Sequence, residues 1–229
     1  INEPADLRGK RIGLPQYSST AGVFIKGLVQ HEYGVAPTEI SWSMGGQDTP
    51  APAPLVPLDL PTDIQLEFIP EGKTLEGMLD EGELDGLFAT YIPKLFLDGS
   101  PNIVRLFPNF KEVEQDYYQR TGIFPIMHSV VIREDEHQEH PWAAASLYDA
   151  FTQAKDLVVD RLYDTDALAL TLPFLIDHIE EAWRTFGSDY WSYGVELNRP
   201  ALEAIAQYVV DQGLAPRVVS VEELFPEIT

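Results

Sequence analysis

Among the 229 residues, His128 is the side chain whose surroundings best suit it to moving a proton. It stands alone in the apolar run GIFPIMHSVVI, residues 122–132, and imidazole titrates near neutrality. A lone histidine there fits a buried, hydrogen-bonded structural role equally well. Arg120, just upstream in YYQRTG, offers a planar fork of donors that can hold a carboxylate or form a surface ion pair. Ser18, Ser19 and Thr20 follow Tyr17 where a helix should begin. Helix starts carry unpaired N–H groups and partial positive charge, so a carboxylate or phosphate can sit there. The plainer role of such hydroxyls is to cap the helix. Lys26, in the same helix, has an anion-binding and a surface reading, and the surface one is preferred.

Other candidates are weaker. His137 and His140 lie in EDEHQEHP, which reads as a charged surface turn. His178, in DHIEE, lacks the spacing of a helical zinc motif, and no metal site is expected. Tyr190, Trp191 and Tyr193 in DYWSYG read as packing residues. GELDG and SMGGQ lack the glycine spacing and lysine of a phosphate loop.

The elements that must position these groups alternate in the first half of the chain. Arg11 to Leu14 is a short strand stopped by Pro15. Ala21, Phe24, Ile25 and Leu28 then recur at the spacing of a buried helix face, and Gly34 should end that helix. Strands are expected at 39–43, 64–68, 84–89 and 102–106. A proline-rich surface loop over 47–63 precedes the second of these, and a short helix ending at Gly82 precedes the third. Residues 90–94, with Tyr91, follow the 84–89 strand at its carboxyl end, where open α/β sheets bind ligands. A helix is expected over 108–119. From Pro141 the pattern turns helical: a stripe of Leu147, Ala150, Phe151, Ala154, Leu157 and Val158, a helix over about 166–186 interrupted at Pro173, and one over 198–212 ended by Gly213. The fold class is α/β.

The net charge of −22, from 37 acidic and 15 Lys or Arg residues, argues against nucleic acid and anionic membrane surfaces as partners. Without cysteine there are no disulfides or thiolate metal sites. No apolar run is long enough for a membrane span. An anionic ligand would be repelled by the general field, so its site must gather local donors.

These residues carry a resemblance. DLRGKRIGLPQYSSTAGVFIKGLVQHEYGV, the Trp42 to Gly46 segment, IPEGKTLEGMLDEGELDGLF, RLFPNF, YYQRTGIFPIMHSVVIRED, HPWAAASLYDAF, DYWSYGVELNRPALEAI and QGL together resemble the 4,5-dihydroxyphthalate decarboxylase family over nearly the whole chain. Lys26, where arginine is usual, and residues 90–96, where a proline-rich loop with arginine is usual, depart from the family's pattern.

The resemblance implies a two-lobed fold like that of type II periplasmic solute-binding proteins. Residues 8–125 would form the second, α/β lobe. Residues 126–229 would supply a crossover strand and the mainly helical remainder of the first lobe. That lobe would be incomplete in this chain, its opening strands lying upstream, and self-association into homo-oligomers is expected of the apolar edge this leaves. The implied activity is non-oxidative decarboxylation of a dihydroxylated aromatic dicarboxylate, in the cytoplasm and without a cofactor. The alternative is a periplasmic or extracellular binding protein for a small aromatic or aliphatic carboxylate. In either case the expected ligand site lies between the lobes. Tyr17, Ser18, Ser19, Thr20, Trp42, Tyr91 and Arg120 would surround the ligand, and His128 would act as acid or base.

Overall fold

The computed structural model describes residues 1–51 and 58–225. The middle of the expected proline-rich loop, residues 52–57, lies outside them. The chain divides into two compact units. The first comprises Ile1–Val113 with Glu203–Val219, and the second Glu114–Leu202 with the residues from Ser220 onward.

The first unit is built on four parallel strands, β1 (Arg11–Leu14), β2 (Ser41–Met44), β3 (Gln65–Phe68) and β4 (Gly86–Leu87), in the order β3-β2-β1-β4. Ile12 pairs with Trp42 on one side and Gly86 on the other, and Trp42 in turn pairs with Leu66. Parallel neighbours need crossovers. α1 (Thr20–Tyr33) returns the chain from β1 to its neighbour β2; α2 (Leu75–Asp80) lies on the connection from β3 to β4, which sit at opposite edges of the sheet. Both helices begin and end on local signals. Ser19 and Thr74 each accept a hydrogen bond from the backbone N–H three residues on. Gly34, in the left-handed region, donates its N–H to the Gln30 carbonyl. The expected 84–89 strand is thus only two residues long.

Alternation along β1 sends Ile12 and Leu14 into a core with Leu7, Tyr17, Val29, Val35, Ile40, Trp42, Met44 and Ile64. Leu75, Met78 and Leu84 form a second cluster. On its other side α1 meets the Glu203–Asp211 part of α8 (Val195–Asp211), the helix expected over 198–212. There the buried Tyr208 ring lies 6.2 Å from Phe24 and 5.0 Å from His31. Gly27 allows this approach: a Cβ on it would fall 2.2 Å from the Tyr208 ring. The short α3 (Lys94–Leu97) follows β4. Residues 102–106 are irregular rather than a strand, with Val104 exposed: the ladder is already complete without them.

The second unit is helical. It holds most of α4 (Phe110–Thr121), then α5 (Glu134–Glu139), α6 (Trp142–Leu162), α7 (Leu175–Phe186) and α9 (Val221–Leu224), with the first part of α8. Phe186 packs against Tyr118 at 4.6 Å and Phe124 at 5.5 Å, and Trp191 reaches Phe124 at 5.5 Å. Tyr163 stacks on Trp183 at 5.1 Å. Two expectations are corrected here, and one further feature is added. Residues 122–132 form no strand; every strand among the described residues belongs to the sheet of the first unit, so this run has no ladder to join. The helix expected from about 166 begins only at Leu175, after Pro173 and a left-handed Phe174. The apolar stripe of α6 is exposed, with Leu147, Phe151, Leu157 and Val158 uncovered among the described residues. No helix among the described residues is long and apolar enough to cross a membrane.

Candidate functional site

In the first unit the chain leaves β1 toward β2 and β3 on one side and later returns to β4 on the other. This makes the carboxyl ends of β1 and β4 a topological switch point, the place where open α/β sheets leave a crevice for ligands. Three segments meet around this edge of the sheet: residues 15–20 after β1, residues 45–48 after β2, and residues 88–91 after β4.

The first segment is the hydroxyl-rich turn. Ser19 serves the helix itself: its Oγ donates to the Gln16 carbonyl at 2.9 Å and accepts the Gly22 N–H at 3.2 Å. Gly22 keeps this cap tight, since a Cβ there would come 2.9 Å from the Ser19 Oγ. Ser18 and Thr20 are half-buried. Their hydroxyls, with the N–H groups of Thr20 and Ala21, have no hydrogen-bond partner among the described residues. Two hydroxyls and two amides at the positive end of a 14-residue helix are suited to an incoming carboxylate.

Tyr17 is fully buried. Its hydroxyl donates to the Gln212 carbonyl at 3.4 Å, and its ring meets Trp42 edge-on at 6.0 Å. Burial and the negative charge of Asp63 raise the pKa of its phenol, which therefore stays protonated. Trp42 is also in the core. Its indole N–H donates to the Pro37 carbonyl at 2.8 Å, and Phe88 lies 5.5 Å away. Both rings support the turn from beneath.

Lys26 is where sequence reasoning erred most. It is 1% exposed, not a surface group. Its Nζ donates to the Tyr17 carbonyl at 2.6 Å and sits 3.0 Å from the centre of the Tyr17 ring. No carboxylate pairs with it among the described residues. Burial pulls its pKa down to about 6, which leaves it a neutral amine at pH 7. The carbonyl and the ring face favour the charged form, but loss of water outweighs them. The one signal in the sequence was its place among Phe24, Ile25 and Gly27 on a helix that is buried on two sides.

Tyr91 is half exposed after β4. Its hydroxyl donates to Asp48 Oδ1 at 2.7 Å, which raises its pKa. Gln47 and Glu76 nearby are buried and were not singled out from sequence. Arg120 and His128 belong to the second unit. Arg120, at the end of α4, pairs with Asp116 one turn earlier at 2.8 Å. His128 is exposed in the irregular stretch after α4 and has no hydrogen-bond partner among the described residues. The structure therefore gathers Tyr17, Ser18, Ser19, Thr20, Trp42 and Tyr91 in one unit, with Arg120 and His128 in the other.

Among the described residues no three His, Asp or Glu side chains converge as a metal site requires. A hollow beside β3, lined by Met44, Leu60, Ile64, Leu66 and Phe68, is apolar apart from Thr62 and lacks donors for an anion.

The first unit is a parallel α/β unit with hydroxyl and amide groups open at its sheet's carboxyl edge, and comparison with known proteins says which family carries it. No protein-family model matches the chain. It is 37% identical over 225 residues to a 4,5-dihydroxyphthalate decarboxylase of Comamonas testosteroni, covering 98% of this chain and 68% of that protein. It is 34% identical over 119 residues to one of Pseudomonas putida, covering 52% of this chain and 46% of that protein. The chain belongs to the 4,5-dihydroxyphthalate decarboxylase family.

Proposed function

We propose that this chain is a carboxy-lyase that removes one carboxylate from 4,5-dihydroxyphthalate without oxidation, giving protocatechuate and carbon dioxide. The observation that carries the reading is the 37% identity across 98% of the chain to a protein named for that activity.

The chemistry is set by the substrate. Each of its carboxylates has a hydroxyl para to it. Removing that phenolic proton pushes an electron pair into the ring. An acid then protonates the carbon bearing the carboxylate. The bond to the carboxylate breaks, its electron pair restores the aromatic ring, and carbon dioxide leaves. One proton is taken up overall, and the ring hydroxyl supplies the electrons. The protein must hold the carboxylate that stays, strip water from the one that leaves, and position an acid and a base.

In this reading the carboxylate that stays is bound by the Ser18 and Thr20 hydroxyls and the Thr20 and Ala21 amides. Tyr17 and Trp42 support that turn, Ser19 caps its helix, and Tyr91 lies along the ring. Arg120 keeps its expected role toward a carboxylate and His128 its role in proton transfer. The fold in this reading is the two-lobed type II binding-protein fold; the division into two compact units and the parallel sheet of the first support it. Homo-oligomer formation belongs to the same reading, and sedimentation showing a monomer at every concentration refutes that part.

The test is direct. Incubation with 4,5-dihydroxyphthalate should release carbon dioxide and protocatechuate in equal amounts. His128→Ala should lose most turnover and keep most of its binding of phthalate, a dicarboxylate lacking the hydroxyls. No product from the unmodified protein overturns the reading; full turnover in His128→Ala overturns the role of His128.

A further inference from the structure

Outside the hydroxyl turn, the first unit holds a buried polar cluster centred on Gln47. It is 3% exposed, and both its amide oxygen and its amide nitrogen are used. Its Oε1 accepts the Thr90 N–H at 3.2 Å. Its Nε2 donates to the Tyr91 carbonyl at 2.9 Å and to Glu76 Oε1 at 3.1 Å. Glu76, 2% exposed, accepts the Leu95 N–H at 3.2 Å through its other oxygen. The residue before α3 is Pro93, whose side chain makes no cap hydrogen bond, so Glu76 caps that short helix from α2. The Glu76 N–H in turn donates to the Gln47 carbonyl at 3.0 Å.

We propose that Gln47 is a positioning residue for the ligand site, fixing the segment after β4, and Tyr91 with it, at the carboxyl edge of the sheet. The proposal rests on the decarboxylase reading for its substrate and on the hydrogen bonds above for its geometry. Strand β4 pairs over only two residues. Beyond Phe88, whose N–H still bonds the Gly13 carbonyl at 2.8 Å, a strand that short anchors little of the chain, and the ties of residues 90 and 91 to the sheet run through side chains. Gln47 extends from the loop after β2 and bonds both the N–H of Thr90 and the carbonyl of Tyr91. Asp48, the next residue, holds the Tyr91 hydroxyl. Two consecutive residues after β2 thus fix both the backbone and the ring of Tyr91. With the hydroxyl turn after β1 beside β4, this sets how far an aromatic ring can lie from the carboxylate donors. Gln47 is therefore a specificity determinant for the aromatic ring of the substrate, acting through Tyr91.

The experiment compares the unmodified chain with Gln47→Leu, Gln47→Asn, Tyr91→Phe and the Gln47→Leu/Tyr91→Phe double variant. Turnover of 4,5-dihydroxyphthalate, phthalate binding and amide hydrogen exchange are measured on each. Gln47→Leu should raise KM by about tenfold, with kcat per folded molecule nearly unchanged. The Thr90 and Leu95 amides should exchange faster in it. The double variant should be no worse than Gln47→Leu alone, because a loosened loop no longer presents the phenol. If Gln47→Leu does not fold, Gln47→Asn, which keeps the amide one methylene shorter, should show the same changes at smaller size. Unchanged Thr90 protection, an unchanged KM, or additive effects of the two substitutions overturn the proposal while the decarboxylase reading stands. An unmodified chain that neither turns over the substrate nor binds phthalate overturns both, whatever the exchange rates show.

Discussion

Replacing Lys26 by methionine should change the pH dependence of stability more than stability itself. The folded chain holds this amine near pKa 6, against the usual 10.5 that it regains on unfolding. Between those values the unfolded chain binds one proton more, so stability rises with pH, by about 1.4 kcal/mol per unit. It is full above the unfolded value and lost as pH falls toward 6. At pH 8 the folded chain forgoes about 3 kcal/mol relative to strongly alkaline solution. Methionine fills similar space, has no charge, and removes this term. It also leaves the buried Tyr17 carbonyl without the 2.6 Å hydrogen bond, at a cost of about 1–3 kcal/mol. The two effects nearly cancel near pH 9. Lys26→Met should therefore be the more stable protein at pH 7 and the less stable at pH 10. Urea unfolding followed by tryptophan fluorescence at these three pH values measures the crossing. A stability difference that is the same at all three shows that Lys26 is charged in the folded chain and refutes the argument.

Thr20→Val should weaken phthalate binding by about 1 kcal/mol, the scale of one lost hydroxyl donor, with little change in unfolding midpoint; calorimetric titration measures it. Ser19→Ala should instead cost about 1 kcal/mol of folding stability through the lost cap, seen in urea unfolding. Gly27→Ala should destabilise by about 1–3 kcal/mol, since its methyl group must displace the Tyr208 ring; the same unfolding assay reads it. Asp85 is held at about 2 by hydrogen bonds from the Arg11 guanidinium, joined by the Arg11 N–H. The stability it confers is full above the usual value of 3.8 and lost as pH falls toward 2, so Asp85→Asn should flatten acid unfolding in that window.

What could be read in the sequence was local. The Ser19 cap, the left-handed Gly34 and Gly82, the limits of β1 and the Arg120 pairing one turn back to Asp116 all depend on residues a few positions apart. What could not be read depended on distant partners. Lys26 has the look of a surface residue because its partners, the Tyr17 carbonyl and the Tyr17 and Trp42 rings, meet it only once α1 lies on the sheet; the far side of α1 is covered from farther still, His31 meeting Asp211 across 180 residues. Residues 122–132 have the composition of a strand, but a strand also needs a neighbour with open hydrogen bonds, and no pattern within the run supplies one. The α6 stripe is correct as a period, and its exposure was not legible, for periodicity says which residues share a side and nothing about what covers it. At the site, the hydroxyl turn is conspicuous by composition. Gln47 is not, because its importance lies in two backbone groups more than 40 positions away.

The first unit is closed by residues from two distant parts of the chain, which bears on how it is made. The Tyr17 hydroxyl finds its acceptor 195 residues later, and the Val23 carbonyl its donor 189 residues later, both at Gln212. During synthesis the ribosome releases the sheet and α1 long before Tyr208 and Gln212 emerge. Until then the outer side of α1, with Phe24 and Gly27, stands open to water or to a chaperone. Contacts this far apart form slowly, and a long-lived unit whose parallel sheet is made but whose outer helix is still missing is prone to aggregate. Overexpression at low temperature, or with more holdase chaperone, should therefore raise the soluble yield. A fragment stopping at Val113 should be recovered insoluble even though it carries every strand of the sheet.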